Sequence, residues 1–201
     1  MIQTILPAIN IANSWNQVAA DFYRVSEPVF GGKRLSWGPY GPFEDEIKSL
    51  PMDLQGKRVL VAGCGSGPDV AYLVKQGARV IGLDFSEAQL TLARQRCVEQ
   101  GVAAEFLLAD LNTLQASDFG PEPFDLIVSN YTLQYIQDLT RLFRVFHEVL
   151  TVGGGIVVST DHPVLYATYP DVQGKARSIR EDGVDYLRER ILQWSFRHTD
   201  Q

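Results

Sequence analysis

The sequence predicts an α/β protein, a Rossmann-like doubly wound and mostly parallel sheet, on three observations. Five short apolar runs alternate with helix-like stretches from residue 57 to residue 160. The first run passes into the first of those helices through a glycine-rich turn, Gly63-Cys64-Gly65-Ser66-Gly67. The 201 residues suit one domain with a well-buried core. Strands that alternate with helices at this spacing pair in parallel through right-handed crossovers, with helices on both faces.

The elements follow in chain order. Residues 11–24 read as a helix with Trp15, Val18, Ala19 and Phe22 on one side and Asn13 or Ser14 as its cap. Residues 26–42 hold four glycines and three prolines and read as loop. Phe43 to Leu50 gives one or two helical turns ending at Pro51. Residues 57–63 hold the apolar run Val59 to Gly63, the pattern of a strand buried on both faces. A helix over 68–77 and a second strand over 78–84 come next. The helix from Ser86 to Gly101 has Ser86 as N-cap, Glu87 in its first turn and Gly101 as terminator. Strands are expected over 103–109, 124–130 and 153–160. Between the last two lies an amphipathic helix, 139–150, with Leu139, Leu142, Phe143, Phe146, Val149 and Leu150 on one face.

Composition narrows the function. Eighteen Lys and Arg against 24 Asp and Glu give a net charge of −6, which argues against a nucleic-acid partner. No apolar run is long enough to span a bilayer, and the first ten residues lack the positive region of a signal peptide, so a cytoplasmic location and no membrane partner are expected. Two cysteines and three histidines make neither a disulfide framework nor a zinc cluster, so no metal is expected.

In such a sheet, ligands bind beyond the carboxyl ends of the strands. Those ends carry the glycine turn, Asp84, Asp110, Asn130-Tyr131 and Asp161-His162-Pro163. The turn is G-x-G-x-G with Pro68 after it, a poor match to the G-x-G-x-x-G of a dinucleotide site and no Walker loop. It still lets a ligand approach backbone closely and meet amides at a helix start. Asp84 closes the second strand and suits the two hydroxyls of a ribose; the competing reading is a cap for the helix that follows. Cys64 and Cys97 read as packing residues.

The segments VLVAGCGSG, VIGLDFSEAQLTLAR, FLLADL and FDLIVSNYTLQYI, in that order, together with the EVL, GG and HP stretch up to Pro163, resemble class I S-adenosylmethionine-dependent methyltransferases. The likeness is to the small-molecule group related to ubiquinone and menaquinone methyltransferases, and it covers roughly residues 11–165. It implies a strand order of 3-2-1-4-5-7-6 with S-adenosylmethionine as cofactor. By position, Gly63, Cys64, Gly65 and Gly67 would flank the methionyl part, Asp84 would hold the ribose and Phe85 would lie beside the adenine. Asp110 would meet the adenine amino group, Leu111 would offer its amide, and Asn130 would close the methionyl end. The competing readings are a turn cap for Asp110 and a post-strand turn for Asn130. Such relatives carry an acid two positions before the first glycine, where this chain has Val61.

The implied activity is methyl transfer to an O, N or C atom of a small, uncharged or cationic acceptor. His162 is the candidate base. Of the aromatics that could cover the pocket (Trp15, Tyr23, Trp37, Tyr40, Tyr131 and Tyr135), Tyr131 and Tyr135 are the candidates for touching substrate. The alternatives are a degenerate member that binds cofactor without turnover and, from another class, a nicotinamide-dependent oxidoreductase. The expected layout is a helical cap over 1–52, a cofactor-binding core over 53–165 and a C-terminal segment over 166–201 too short for both remaining edge strands. The sticky edge this would leave predicts a homodimer.

Overall fold

The computed structural model describes residues 11–31, 33–38 and 42–160, and for residues 25–30 the backbone alone. The elements below all lie in one compact unit, Asn10–Ser159. Strands β1 (Arg58–Ala62), β2 (Arg79–Asp84), β3 (Glu105–Leu108), β4 (Phe124–Asn130) and β5 (Leu150–Ser159) form one sheet in the order β3-β2-β1-β4-β5, with every neighbouring pair parallel. The chain winds outward from β1 to β3 and then returns to start β4 on the other side of β1. That reversal opens a crevice beyond the carboxyl ends of β1 and β4. The implied order 3-2-1-4-5 is therefore present; the C-terminal segment expected to be too short for both remaining edge strands lies outside the described residues.

The apolar continuity of β1 follows from burial on both faces. Val59 and Val61 enter one core with Val70, Leu73 and Leu90, from α3 (Pro68–Lys75) and α4 (Glu87–Glu99). Leu60 and Ala62 enter the other with Leu142 and Phe146 from α5 (Leu139–Val149). All four strand side chains are fully buried, and burying a Val or Leu stabilises by roughly 1.5–3 kcal/mol each. On α5, Val145 is buried and Phe143 is exposed, packing edge-to-face on Phe146. The helix thus presents a stripe rotated from the expected one, with Val145 inside it and Phe143 outside. Strand β5 starts at Leu150, directly after α5, because Leu150 pairs with Phe124 before the register shifts.

The first helix differs most from expectation. Helix α1 runs from Ile11 to Phe30, so Asn13 and Ser14 lie inside it and the expected end near residue 24 is passed. The reason is tertiary: α1 is tied along the whole of α4. Asn16 Oδ1 accepts from Ser86 Oγ at 2.6 Å and Ala88 N at 3.2 Å at one end. At the other end Tyr23 bonds Glu99, and Gln100 Nε2 donates to the Gly31 carbonyl at 2.6 Å. Ser86 caps α4 as expected, accepting from Gln89 N at 3.2 Å, but Asn16 satisfies a second amide of the same helix end. Asn16→Ala is expected to destabilise the protein by about 1 kcal/mol, read as a lower urea midpoint. An unchanged midpoint would mean that Ser86 suffices.

Helix α2 (Glu44–Ile47) is a single turn organised by Glu44. Its carboxylate accepts from Trp37 Nε1 at 2.7 Å, Ser49 Oγ at 2.6 Å and Leu50 N at 2.8 Å. Burial raises its pKa, but these bonds outweigh burial and hold it below the ordinary range. Trp37 is accordingly buried in the core rather than covering a pocket. No helix among the described residues is long and apolar enough to cross a membrane.

Candidate functional site

A cavity of about 290 Å³ opens at the crevice beyond β1, β2 and β4. Gly63, Cys64 and Gly65 form its base; Asp84 and Phe85 line one side; Asn130, Tyr131 and Thr132 line the other. Trp15, Phe22 and Tyr135 line it as well. The Trp15 ring meets Phe22 and Tyr135 edge-on, with centroids 5.4 and 6.3 Å away. An apolar wall with a few polar groups is the usual lining of a small-molecule site.

The glycine turn is held from within. The amides of Gly63 and Cys64 both donate to the Leu83 carbonyl at 2.8 Å, Gly67 N donates to Cys64 O at 2.9 Å, and Gly65 N donates to Asp84 Oδ2 at 2.9 Å. The expectation that these loop amides would meet the ligand is corrected: four of them are engaged by the protein. Pro68 at the start of α3 has no N–H, and a carboxylate, Asp69, follows it. A phosphate cradle needs free amides and no adjacent anion, so this turn is unsuited to a pyrophosphate. That disfavours a nicotinamide dinucleotide.

Asp84 is 8% exposed. Its Oδ1 accepts from Ser86 N at 2.9 Å, and its Oδ2 is the acceptor for Gly65. Each oxygen retains a lone pair, so the carboxylate both anchors the turn and can accept from a ligand. Burial raises its pKa, opposed by the bonds from the amides of Ser86, Gly65 and Phe85. Cys64 beside it is buried, and its thiol is pushed well above its ordinary value by burial and by the Asp84 and Asp69 carboxylates. A thiol held protonated is no nucleophile.

Asp69, in the first turn of α3, is 7% exposed and lines the cavity. Asn130 Nδ2 donates to its Oδ2 at 3.0 Å and to the Ser36 carbonyl at 2.8 Å. Burial pushes the Asp69 carboxyl up to about 6, against the pull of the Asn130 bond and the Arg96 charge. Two further acceptors on the cavity wall, Asn130 Oδ1 and Gln89 Oε1, are buried without a hydrogen-bond partner among the described residues.

Tyr131 has left-handed backbone, with φ 54°, and its N–H is held by Ser159 O at 2.8 Å. Its ring lies flat on Gly38, where a Cβ would come within 2.0 Å of Cε2. Strain of this kind concentrates at functional sites.

Of the residues expected at the site, Gly63, Cys64, Gly65, Asp84, Phe85, Asn130, Tyr131 and Tyr135 line this one cavity. Gly67, Asp110 and Leu111 do not. A Cβ on Gly67 would meet Ala93 at 2.9 Å, so that glycine serves the close approach of α3 and α4. Asp110 is exposed and caps its own turn, with Oδ1 accepting from Asn112 N at 2.8 Å, and Leu111 is buried in the core beside α5. Tyr23 lies outside the cavity as well, packed under the Arg96 guanidinium. His162 and Tyr40 lie outside the described residues. Sequence reasoning missed Asp69, Gln89, Thr132 and Gly38. For Asp69 the available signal was an acid in the first helical turn directly after a ligand-side glycine loop.

A family described as a methyltransferase domain matches residues 59–154. Among curated proteins, the chain is 31% identical over 134 residues to phosphoethanolamine N-methyltransferase 1 of Triticum aestivum, covering 66% of this chain and 26% of that one. It is 33% identical over 107 residues to a ubiquinone biosynthesis O-methyltransferase of Pseudomonas aeruginosa, covering 53% and 45%. The chain thus spans less than half the length of these relatives. Among solved structures, an S-adenosylmethionine-dependent methyltransferase from Mesorhizobium loti superposes with TM-score 0.52 at 35% identity, covering 63% of this chain and 56% of that one. Matched segment, sheet order and position of the cavity agree: over residues 59–154 the chain matches a methyltransferase domain, and its fold is similar to that of S-adenosylmethionine-dependent methyltransferases.

Proposed function

We propose that this protein binds S-adenosylmethionine in the cavity beyond β1, β2 and β4 and transfers its methyl group to an O, N or C atom of a small-molecule acceptor. The observation that carries the reading is the donor–acceptor balance of the cavity wall. The glycine-turn amides are internally engaged, while Asp84, Gln89 Oε1 and Asn130 Oδ1 remain as buried acceptors. Such a wall suits a neutral or cationic ligand rich in hydroxyl and N–H donors, as S-adenosylmethionine is. Asp84 and Gln89, grouped around Gly65, would hold the ribose hydroxyls, and Phe85 would supply an apolar face for the base. Asn130 and the glycine turn would border the amino-acid end.

Bound S-adenosylmethionine would supply a methyl group already activated on a sulfonium. The work left to the protein is orientation and exclusion of water. Trp15, Phe22 and Tyr135 suit the second task, and Tyr131, fixed against Gly38, suits the first by offering one rigid wall to an acceptor. Relatives methylating phosphoethanolamine nitrogen and a ubiquinone-pathway oxygen support a small-molecule acceptor of either kind.

Calorimetry tests the reading. S-adenosylhomocysteine is expected to bind in the micromolar range, and Asp84→Ala to weaken that binding at least about tenfold, since charge-assisted bonds contribute roughly 1.5–3 kcal/mol each. No heat with the unmutated protein would overturn it. Binding without methyl transfer across a screen of small amines, phenols and catechols would instead establish a cofactor-holding protein without turnover.

A further inference from the structure

Asn130 fixes the polarity of one corner of the cavity. Both of its hydrogen-bonded neighbours, the Ser36 carbonyl and the Asp69 carboxylate, are acceptors. Its amide must therefore turn its NH2 toward them, which leaves Oδ1 as a buried acceptor with no partner among the described residues. Asp69 beside it is buried and takes part in no ion pair within 4 Å among those residues. Arg96 on α4, the cation that acts on it at longer range, donates Nε to the Ser66 carbonyl at 2.9 Å and has its guanidinium over the Tyr23 ring. A carboxylate and a carbonyl oxygen side by side, buried and short of donors, are unfavourable until a donor arrives. The complement that satisfies both is a compact cation with several N–H groups.

We infer that Asp69 and Asn130 form an ammonium-binding subsite that holds the α-ammonium of the cofactor's amino-acid end. The inference rests on the reading that this cavity takes S-adenosylmethionine. Strand β1 offers no carboxylate for the task, because Val61 is fully buried in the core. Asp69 reaches the same crevice from α3 instead, with Asn130 both orienting it and adding a second acceptor.

Two nucleosides separate this role from others. S-adenosylhomocysteine carries the ammonium, and 5′-methylthioadenosine shares its adenosine and sulfur but lacks the amino acid. Asp69→Asn is expected to weaken S-adenosylhomocysteine binding about tenfold or more and to leave methylthioadenosine within about twofold. Equal weakening of both would show a structural role and overturn the subsite, as would unchanged S-adenosylhomocysteine binding.

A second measurement needs no variant. The ionisable groups around Asp69 are Arg96, the Cys64 thiol, which burial keeps neutral, and Asp84, which that thiol also senses. Asp84 serves both nucleosides alike, so their affinity ratio isolates Asp69. With Asp69 titrating near 6, that ratio should fall about tenfold between pH 7.5 and pH 5, and a flat ratio would overturn the subsite. An unmutated protein that binds neither nucleoside fails the cofactor reading itself, a result distinct from both arms.

Discussion

Gly63→Ala is expected to destabilise the protein by about 3 kcal/mol or more and to remove ligand binding, whereas Gly101→Ala, at the end of α4, costs about 1 kcal/mol. Both glycines have positive φ, 80° and 65°, so an alanine at either pays a conformational penalty. They differ in what the new methyl group meets. At Gly101 nothing lies within 4 Å, but at Gly63 a Cβ would fall 2.2 Å from Thr132 Oγ1, 2.3 Å from Cγ2 and 2.7 Å from Cβ. The overlap includes the branch point of Thr132, so no rotamer relieves it. Thr132 is itself buried and donates to the Gly63 carbonyl at 3.2 Å. Relief has to come from parting the β1 turn from the segment after β4, the two walls of the cavity. Urea unfolding of both variants checks this, with each kcal/mol also moving Tm by roughly 2–4 °C in a chain of this size. Equal costs at the two positions would mean that the crevice yields freely.

That contrast also marks where sequence reasoning reaches its limit. The strands and the Ser86 cap were legible because each depends on residues close in sequence: apolar runs, glycine punctuation and a hydroxyl three residues before the amide it accepts from; the sheet order came only with the family resemblance. Asp84 was legible because topology alone places the end of β2 at the crevice. Asp69 was not, since an acid after Pro68 reads as an ordinary complement to a helix N-terminus. Only the approach of Asn130, 61 positions away, reveals a buried carboxylate in a cavity. Gly38 escaped for the same reason, its need for glycine being set by the Tyr131 ring 93 positions on. Asp110 and Leu111 show the converse. Their segment folds into its own turn, with Thr113 N and Leu114 N donating to the Asp110 carbonyl, so the structure displays the local turn-capping role beside the one the resemblance implies.

Asp69→Asn should also stabilise the protein at neutral pH while weakening its hold on the cofactor. An aspartate exposed in the unfolded chain titrates near 3.8, and in the folded protein Asp69 titrates at about 6. The folded state therefore prefers the protonated form. The stability that this group contributes is fully present below about pH 4, declines as pH rises through 6, and is absent above. The difference of roughly two units corresponds to about 3 kcal/mol, with the attraction of Arg96 already counted because it only partly offsets burial. Asparagine keeps the shape and an acceptor for Asn130 Nδ2 but never ionises. The variant should accordingly exceed the unmutated protein by about 1–3 kcal/mol at pH 8, with the gap closing toward pH 4. Carboxylates held low by partners, such as Glu44 with Ser49, Leu50 and Trp37, follow the opposite course but are common to both proteins and cancel in the difference. Urea unfolding of the pair at several pH values measures it, and a difference independent of pH would sink the idea. Stability given up at one buried carboxylate is what a site pre-formed for a cation should show. If ligand affinity and stability move in opposite directions on this single substitution, the charge is retained for binding rather than for the fold.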